Sequence, residues 1–389
     1  MKIMMVTNTF TPHVGGVARS VQRFTDEYRK LGHQVCVVAP GAVGKRYPED
    51  INTIRIPAAD DVGGSSFYLP VLTKNMEKNI AFASAFFYPD VVHAHQPFLL
   101  GDLARRISAR LKKPLVYTQH TLYENFNHLF KGGRYTSDFL KRVSTEYANL
   151  CDAVIAPSES LQEILLARGV RVPTHVVPTG IDVSFFANGD RAVWRDRFGI
   201  SNNNFLMGYI GRLSPEKNLS TLAGCVRAFL NKSSRTHFLV VGDGPSHRFL
   251  KDSFRDLPRV HFTGSLSGKE LADAYRALDV FAFPSCIETQ GLVLAEAMAA
   301  GVPVTAFAAQ GTKDIVVDGV NGRLAPHGSR KEFCKALAWC LEHKNTLQKA
   351  AMETAKGFAK ERCAGKALAL YEQVQYSPKG LVRALSFLS

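Results

Sequence analysis

The sequence predicts an α/β protein of two domains, each with a parallel sheet that is covered by helices. Short apolar runs, typical of buried strands, alternate with longer stretches of helical periodicity, which is the pattern of strand–helix–strand units. The alternation stops near residue 175 and starts again near residue 205. A chain of 389 residues also exceeds what one hydrophobic core usually serves, so two domains are expected.

The predicted elements follow one another in two series. An amphipathic helix over residues 17–31 follows the first strand and ends at Gly32. The predicted strands are 2–7, 34–39, 91–93, 115–118 and 153–156 in the first series and 205–210, 237–241, 260–262, 280–283 and 302–306 in the second. Segment 175–182 contains Pro178 and Gly180 and is predicted to be a hinge. We expect domains over 1–178 and 179–365, with a tail, 366–389, that can pack on the first domain.

The composition limits the kinds of binding partner and the cellular location that are expected for this chain. A net charge of +14 indicates an anionic partner, such as a nucleotide, a nucleic acid or a bilayer surface, and no nucleic-acid motif is recognisable. The seven cysteines are scattered without a C-x-x-C pair, so neither a zinc site nor a disulfide framework is expected, and a cytoplasmic location fits. The first apolar run is far shorter than the roughly 20 residues of a spanning helix, and it lacks a signal-peptide cleavage site.

Residues just after the predicted strands are the candidate binding residues, because ligands of such sheets bind outside the carboxyl ends of the strands. Gly15 and Gly16 follow the first strand and open a helix, where backbone amides can approach an anion. The pair does not form the G-x-G-x-x-G fingerprint of dehydrogenases, and a structural turn is the alternative explanation.

Histidines mark the ends of two later strands of the first series. His93, His95 and His120 are predicted to form a site, although a histidine in such a position can also be structural. Metal ligation by His93 and His95 is disfavoured, because Pro97 indicates that the strand has ended and no carboxylate accompanies the pair. No metal site is expected.

In the second domain, Arg212 and Lys217 follow the first strand and suit a pyrophosphate, whose negative charge grows as it leaves. Two solvated surface cations are the alternative. The turns that contain Gly242, Asp243 and Leu266 follow the next two strands, where they can contact a nucleotide or serve only as turns.

The strongest signal lies in residues 284–304. Glu288 follows a predicted strand, and a helix over 291–300 begins at Gly291, Leu292 and Val293. Glu296 lies on that helix among apolar residues, where a buried carboxylate needs a partner; sugar hydroxyl groups can supply one. The N-terminus of the helix offers a place for phosphate.

This segment resembles the E-x7-E signature of family 4 retaining glycosyltransferases, and the other motifs occur in the order of that family. The resemblance extends over residues 1 to about 345. It implies the GT-B fold, in which two Rossmann-like domains face each other across a cleft. It also implies that Glu288 holds the donor sugar, Glu296 binds the ribose, and Arg212 and Lys217 neutralise the diphosphate in place of a metal. His120 would contact the transferred sugar and Gly16 would approach the phosphates.

A narrower resemblance concerns the acceptor. Segments 288–291 and 120–126 resemble the corresponding segments of bacterial transferases that glucosylate diacylglycerol. This resemblance implies transfer of glucose from UDP-glucose to a membrane lipid. The segment 123–142 mixes aromatic and basic residues, as a peripheral membrane surface on the cytoplasmic side requires. The residues expected to contact the acceptor or the membrane are Tyr123, Phe126, Phe130, Lys131, Arg134, Lys141 and Arg142.

Two alternatives stay open at this point. The same chemistry could act on a soluble or polysaccharide acceptor with a UDP- or GDP-sugar. The chain could instead be a non-catalytic protein that binds anionic surfaces, although that hypothesis leaves the two carboxylates unexplained.

Overall fold

The computed structural model describes residues 1–13, 15–42, 52–59, 69–71, 73–124 and 133–377. The chain forms two compact units. The first comprises Met1–Gly180 together with the C-terminal segment from Lys360, and the second comprises Ile181–Ala359. The C-terminal segment thus joins the first unit at residue 360, earlier in the chain than the expected boundary at 366.

The described residues of the first unit form a mostly parallel sheet of eight strands in the order β4-β3-β2-β1-β5-β6-β7-β8, and among these strands only the β3–β4 pair is antiparallel. Its strands are β1 (Lys2–Val6), β2 (Gln34–Ala42), β3 (Thr53–Ala59), β4 (Leu69–Pro70), β5 (Val91–Ala94), β6 (Leu115–Thr118), β7 (Ala153–Ala156) and β8 (Thr174–Val176). Its helices are α1 (Gly16–Lys30), α2 (Lys74–Phe87), α3 (Leu100–Leu111), α4 (Gly133–Asn149) and α5 (Glu159–Ala167), and α14 (Lys360–Gln375) completes it.

Both faces of the central strands of this sheet, β1, β5, β6 and β7, are buried, as parallel sheets require. Successive side chains of a strand point to opposite faces, and β1 shows the consequence. Met4 and Val6 belong to a core that includes residues of α2, α3, α4 and α5, whereas Ile3 and Met5 belong to a core with α1 and α14. Helices α2 to α5 therefore form one layer on one face, and α1 and α14 cover the other.

The second unit is a fully parallel sheet of six strands in the order β11-β10-β9-β12-β13-β14, built around one large hydrophobic core. Its strands are β9 (Phe205–Ile210), β10 (Thr236–Val241), β11 (Val260–Gly264), β12 (Val280–Phe283), β13 (Val304–Phe307) and β14 (Gly322–Ala325). Its helices are α6 (Val183–Ala187), α7 (Ala192–Arg197), α8 (Leu219–Lys232), α9 (His247–Ser253), α10 (Gly268–Ala277), α11 (Leu292–Ala299), α12 (Arg330–Glu342) and α13 (Lys344–Lys356). The predicted α/β class is confirmed.

Strands that are short or only partly buried account for the main differences from the expected elements. The predicted hinge over 175–182 is partly wrong, because His175 and Val176 belong to β8 and pair with Ile155 and Ala156. Strands β3, β4 and β14 were also not predicted. The short strands β4, β8 and β14 give little sequence periodicity, and β3 and β8 are only partly buried, so neither forms a continuous apolar run.

One pair of cysteines brings two helices of the second unit together. Cys225 of α8 and Cys334 of α12 face each other, with Cα atoms 5.5 Å apart. Their separation of 109 residues forms no local motif, so only the packing of the two helices reveals the pair.

Within the described residues, no helix is both long enough and apolar enough to cross a bilayer.

Helix α14 is attached to the first unit by a buried hydrogen-bond chain. The hydroxyl of Tyr371 lies 3.1 Å from the hydroxyl of Tyr28 on α1 and 2.6 Å from Nδ1 of His93 on β5. All three side chains are buried, so each polar atom depends on these protein partners.

The Tyr371→Phe variant should lower the free energy of unfolding by about 1–3 kcal/mol, because it leaves two buried polar groups without these partners. Urea unfolding at pH 7 measures the change. The control is Tyr376→Phe, at a position where the side chain is 67% exposed and little change is expected. Equal stability of the two variants would contradict the structural role of this chain of hydroxyl groups.

Candidate active site

The second unit has a topological switch point between β9 and β12, where the strand order reverses. Ligands of parallel sheets bind outside the carboxyl ends of the strands at such a point. Arg212 and Lys217 lie in the loop that follows β9, and Glu288 lies in the loop that follows β12. The structure therefore brings these predicted site segments to one edge of the sheet.

Lys217 and Glu288 form an ion pair. Nζ of Lys217 donates to Oε1 of Glu288 at 2.5 Å, and the two side chains are only 19% and 13% exposed. The ammonium group also lies 5.7 Å from the ring centroid of Phe283, within the range of a cation–π contact. Lys217 is thus not a solvated surface cation. Arg212 is exposed.

Backbone packing explains the glycines of the two loops that follow β9 and β10. The backbone N–H of Leu213 donates to the carbonyl oxygen of Asp243 at 3.0 Å, which joins the loops. A Cβ atom at Gly242 would lie 2.0 Å from one carbonyl oxygen of the neighbouring loop, and a Cβ atom at Gly244 would lie 2.4 Å from another. Glycine is required here for close backbone approach whether or not a ligand binds. The side chain of Asp243 is exposed, and Leu266 packs partly buried against the core.

Helix α11 presents its N-terminus after Gly291, which adopts a positive φ of 74°. Leu292 and Val293 form its first turn and are partly buried. Glu296 is only 4% exposed, and its Oε2 accepts a hydrogen bond from the hydroxyl of Tyr275 at 3.0 Å. A protein group thus supplies a partner for this buried carboxylate, so burial alone does not require a ligand there.

Two residues that the sequence argument missed support the loop of Glu288. Gly311 has a φ of 71°, and a Cβ atom there would lie 2.8 Å from the carbonyl oxygen of Glu288. Thr312 is fully buried, and its hydroxyl bonds to Phe307 and Ala309 and fixes the loop after β13. Only the tertiary packing of this loop against Glu288 identifies the two residues.

The first unit has its own switch point, between β1 and β5. The backbone N–H of Asn8 donates to Oε1 of Gln96 at 2.7 Å, and Oδ1 of Asn8 accepts from the N–H of Leu100 at 3.0 Å, so the loops after β1 and β5 are tied together. Gly15 precedes α1 and Gly16 begins it. A Cβ atom at Gly16 would meet no described atom within 4 Å, so packing does not require glycine at this position.

The three candidate histidines lie together at the carboxyl ends of β5 and β6. Nδ1 of His95 lies 3.0 Å from Nε2 of His120, and the rings of His93 and His95 are 4.1 Å apart. Both ring nitrogens of His93 are engaged, by Tyr371 and by the hydroxyl of Thr118 at 2.7 Å. Nε2 of His95 is buried without a hydrogen-bond partner among the described residues. Of the three, only His120 is partly exposed.

Burial keeps these histidines neutral at neutral pH. Desolvation, together with the neighbouring ring of His120, lowers the pKa of His93 to about 3. Desolvation also lowers the pKa of His120 to about 4, and it lowers the pKa of His95 together with the charges of the other two rings. In the described residues, no three His, Cys, Asp or Glu side chains are grouped so that they could hold a metal ion.

The expected acceptor and membrane residues are only partly described. Tyr123 packs edge-on against Phe98 at 5.0 Å, and burial raises the pKa of its hydroxyl. Lys141 and Arg142 are exposed on α4. Phe126, Phe130 and Lys131 lie outside the described residues, as do the side chain of Arg134 and the tail after residue 377.

We expect acid to destabilise the protein through the histidine cluster. The histidines titrate near 6.5 when unfolded, but His93 and His120 titrate near 3 and 4 when folded. The neutral histidines therefore make their full contribution to the stability of the fold above pH 6.5, and this contribution is lost as the pH falls towards 4. Between pH 7 and pH 5 the free energy of unfolding should fall by about 2 kcal/mol for each buried histidine.

The free energy of unfolding, measured by urea at pH 7 and pH 5, tests this dependence. The His93→Gln variant should lose less stability over this interval than the wild type, and His327→Gln, which changes an exposed histidine of the other unit, should lose as much. An unchanged pH dependence in His93→Gln would show that the cluster does not titrate in this way.

Comparisons with known proteins agree with this geometry. The profile of the family described as "Glycosyl transferases group 1" matches residues 204–343. The profile described as "Glycosyltransferase Family 4" matches residues 14–185. Together the two profiles match segments of both units.

Individual relatives span most of the chain. A GDP-mannose-dependent alpha-mannosyltransferase of Corynebacterium glutamicum is 31% identical over 358 residues, which cover 88% of this chain and 81% of that protein. An alpha-monoglucosyldiacylglycerol synthase of Streptococcus pneumoniae is 30% identical over 333 residues, which cover 83% of this chain and 75% of that protein. The crystal structure of Anabaena HepE in complex with UDP aligns with a TM-score of 0.75 over 96% of this chain and 100% of that chain, at 22% identity. The chain therefore belongs to glycosyltransferase family 4, has the GT-B fold and is a retaining hexosyltransferase.

Proposed function

We propose that the protein transfers glucose from UDP-glucose to a lipid acceptor such as diacylglycerol, at the cytoplasmic surface of a membrane. The observation that carries the transfer chemistry is the sheltered ion pair between Lys217 and Glu288 at the switch point of the second unit. It holds a cation and a carboxylate where a nucleotide sugar binds in parallel sheets of this kind.

The proposed roles follow the charge that develops during transfer. The leaving diphosphate gains negative charge, which Lys217 and the exposed Arg212 stabilise without a metal. Glu288 holds hydroxyl groups of the donor sugar, and His120, as a neutral imidazole, contacts the same sugar. Gly15 and Gly16 bring backbone amides towards the phosphates.

The remaining donor contacts come from the loops of the second unit and from α11. Glu296 binds the ribose with its carboxylate oriented by Tyr275. The contacts assigned to the nucleotide are made by Gly242, Asp243, Leu266, Gly291, Leu292 and Val293.

Relatives support the lipid acceptor. Alpha-monoglucosyldiacylglycerol synthases of Streptococcus pneumoniae and Acholeplasma laidlawii are 30% and 26% identical to this chain, and the latter match covers 95% of it. We assign contact with the acceptor or the membrane to segment 123–142, in which Lys141 and Arg142 are exposed. The enzyme would then act as a peripheral membrane protein.

A second candidate function has its own support. GDP-mannose-dependent alpha-mannosyltransferases of Corynebacterium glutamicum and Mycobacterium tuberculosis are 31% and 32% identical to this chain. The alternative is mannosyl transfer from GDP-mannose, or transfer to a soluble or polysaccharide acceptor by the same chemistry.

Incubation of the purified protein with radiolabelled UDP-glucose or GDP-mannose and a total lipid extract separates the two candidates. We expect label from UDP-glucose in the organic phase, with glucosyldiacylglycerol as the product. Label from GDP-mannose alone would favour the second candidate. Label that stays in an oligosaccharide fraction would contradict the lipid acceptor.

Transfer should survive removal of divalent metals. Excess EDTA should leave the rate within about twofold of the untreated enzyme, because Lys217 and Arg212 supply the positive charge that a metal supplies in other transferases. Complete loss that Mg²⁺ or Mn²⁺ restores would contradict the metal-free mechanism.

Glu288 and Glu296 should have separable roles. The Glu288→Ala variant should lower turnover by about 10²-fold or more and still bind UDP, because the lost contact is to the sugar. Glu296→Ala should instead weaken UDP binding by about tenfold or more through loss of the ribose contact. Isothermal titration and initial rates measure the two effects.

Two control variants accompany this pair. Glu342→Ala removes an exposed carboxylate at the end of α12 and should leave both quantities unchanged. Tyr275→Phe removes a protein partner that orients Glu296 but keeps the carboxylate, so it should weaken UDP binding less than Glu296→Ala does. Wild-type rates and affinity in both glutamate variants would contradict the donor-site assignment.

A further inference from the structure

Helix α2 exposes large apolar side chains on the side away from its core contacts. Phe82 is 77% exposed and Phe86 is 86% exposed, and their spacing of four residues places them on adjacent turns of one face. The opposite side of the helix is buried through Ile80 and Ser84. Two neighbouring phenylalanines exposed to this degree indicate a surface that meets an apolar partner.

A basic groove lies between α2 and α3. Lys74 and Lys78, which line it, precede Phe82 and Phe86 at intervals of four residues, so these four side chains form one stripe along α2. Its volume is about 400 Å³. Four cations line it, against one lining carboxylate, that of Glu77. Arg106 pairs with Glu77 and with Asp102 of α3, at 3.0 Å each, so Lys74, Lys78 and Arg110 supply the excess positive charge. The four cationic residues, all exposed, are Lys74, Lys78, Arg106 and Arg110. The groove therefore has a net positive charge that attracts an anion.

Together these six side chains form the α2–α3 surface: Lys74, Lys78, Phe82, Phe86, Arg106 and Arg110. Protein interfaces are depleted in lysine, whereas helices that lie on bilayers combine lysine or arginine with inserted phenylalanine. Helix α4 belongs to the same layer of helices and adds Phe139, which is 63% exposed, beside the exposed Lys141 and Arg142. The chemistry of the α2–α3 surface is complementary to anionic lipid.

We propose that the α2–α3 surface docks on an anionic bilayer, with Phe82 and Phe86 inserted at the level of the upper acyl chains and a lipid phosphate held in the groove. This inference rests on the proposed function, because it supplies the bilayer contact of an enzyme with a lipid acceptor. It places that contact on α2 and α3, in addition to segment 123–142.

Co-sedimentation with vesicles, without donor or acceptor, tests the docking surface. Wild-type protein should pellet with phosphatidylglycerol–phosphatidylcholine vesicles and much less with pure phosphatidylcholine. Lys74→Ser/Lys78→Ser/Arg110→Ser should weaken binding by about 100-fold at low salt, and this difference should shrink as salt is added. Phe82→Ser/Phe86→Ser should weaken binding by about tenfold or more at low and high salt alike, because insertion is not screened.

The matched control is Phe249→Ser/Lys349→Ser, which changes an exposed phenylalanine and an exposed lysine of the second unit and should bind as the wild type does. Wild-type binding by the Phe82→Ser/Phe86→Ser variant, or equal binding to neutral and anionic vesicles, would overturn the proposal. So would loss of binding only in Lys141→Ser/Arg142→Ser, which would leave segment 123–142 as the sole contact.

Light scattering tests whether a second copy of the chain, rather than a bilayer, occupies the α2–α3 surface. The wild type should be no larger than Phe82→Ser/Phe86→Ser in the absence of vesicles. A wild-type dimer that this variant dissociates would overturn the proposal in favour of a protein interface. Because vesicle binding is measured without sugar transfer, a wrong lipid acceptor and a wrong docking surface give different results.

Discussion

The ion pair between Lys217 and Glu288 is the contact on which the arrangement of the proposed donor site depends. The two residues are 71 positions apart, and they meet because β9 and β12 are neighbours at the point where the strand order reverses. Gly311 packs against Glu288 from a third loop. The pair therefore joins the loops after β9 and β12, and Gly311 packs the loop after β13 against Glu288. Each of these loops follows a strand of a fully parallel sheet.

The histidines of the first unit also avoid a buried net charge, but they do so by staying uncharged. In the second unit a sheltered cation and carboxylate neutralise each other, whereas His93, His95 and His120 are kept uncharged by desolvation. Tyr371 links this cluster to α14, a helix that the chain contributes only after it has completed the second unit. The proposed sugar-contacting residue, His120, thus lies in a histidine cluster that is hydrogen-bonded to α14 through His93.

Sequence reasoning predicted the buried strands well, because a strand covered on both faces is a continuous apolar run and needs no tertiary information. It failed at the edge strands β4, β8 and β14 and at β3 beside β4, because their short or half-exposed segments give no such run. Arg212, Lys217 and Glu288 were accessible as candidates because each follows a buried strand. Tyr275, Gly311 and Thr312 were not, because their importance arises only from contacts with residues far along the chain. The purpose of Gly242 and Gly244 also became clear only from the backbone atoms that they approach.

The most direct test of the account is a double-mutant cycle at the central ion pair. The variants are Lys217→Met, Glu288→Gln and the combination of both, and the measured quantity is the initial rate of sugar transfer at saturating acceptor. If the two side chains act as one unit, the double variant should be little slower than the slower single variant, because the second substitution removes a contact that is already lost. Rate losses that simply multiply would show that Lys217 and Glu288 act independently, and they would contradict the central role of the pair.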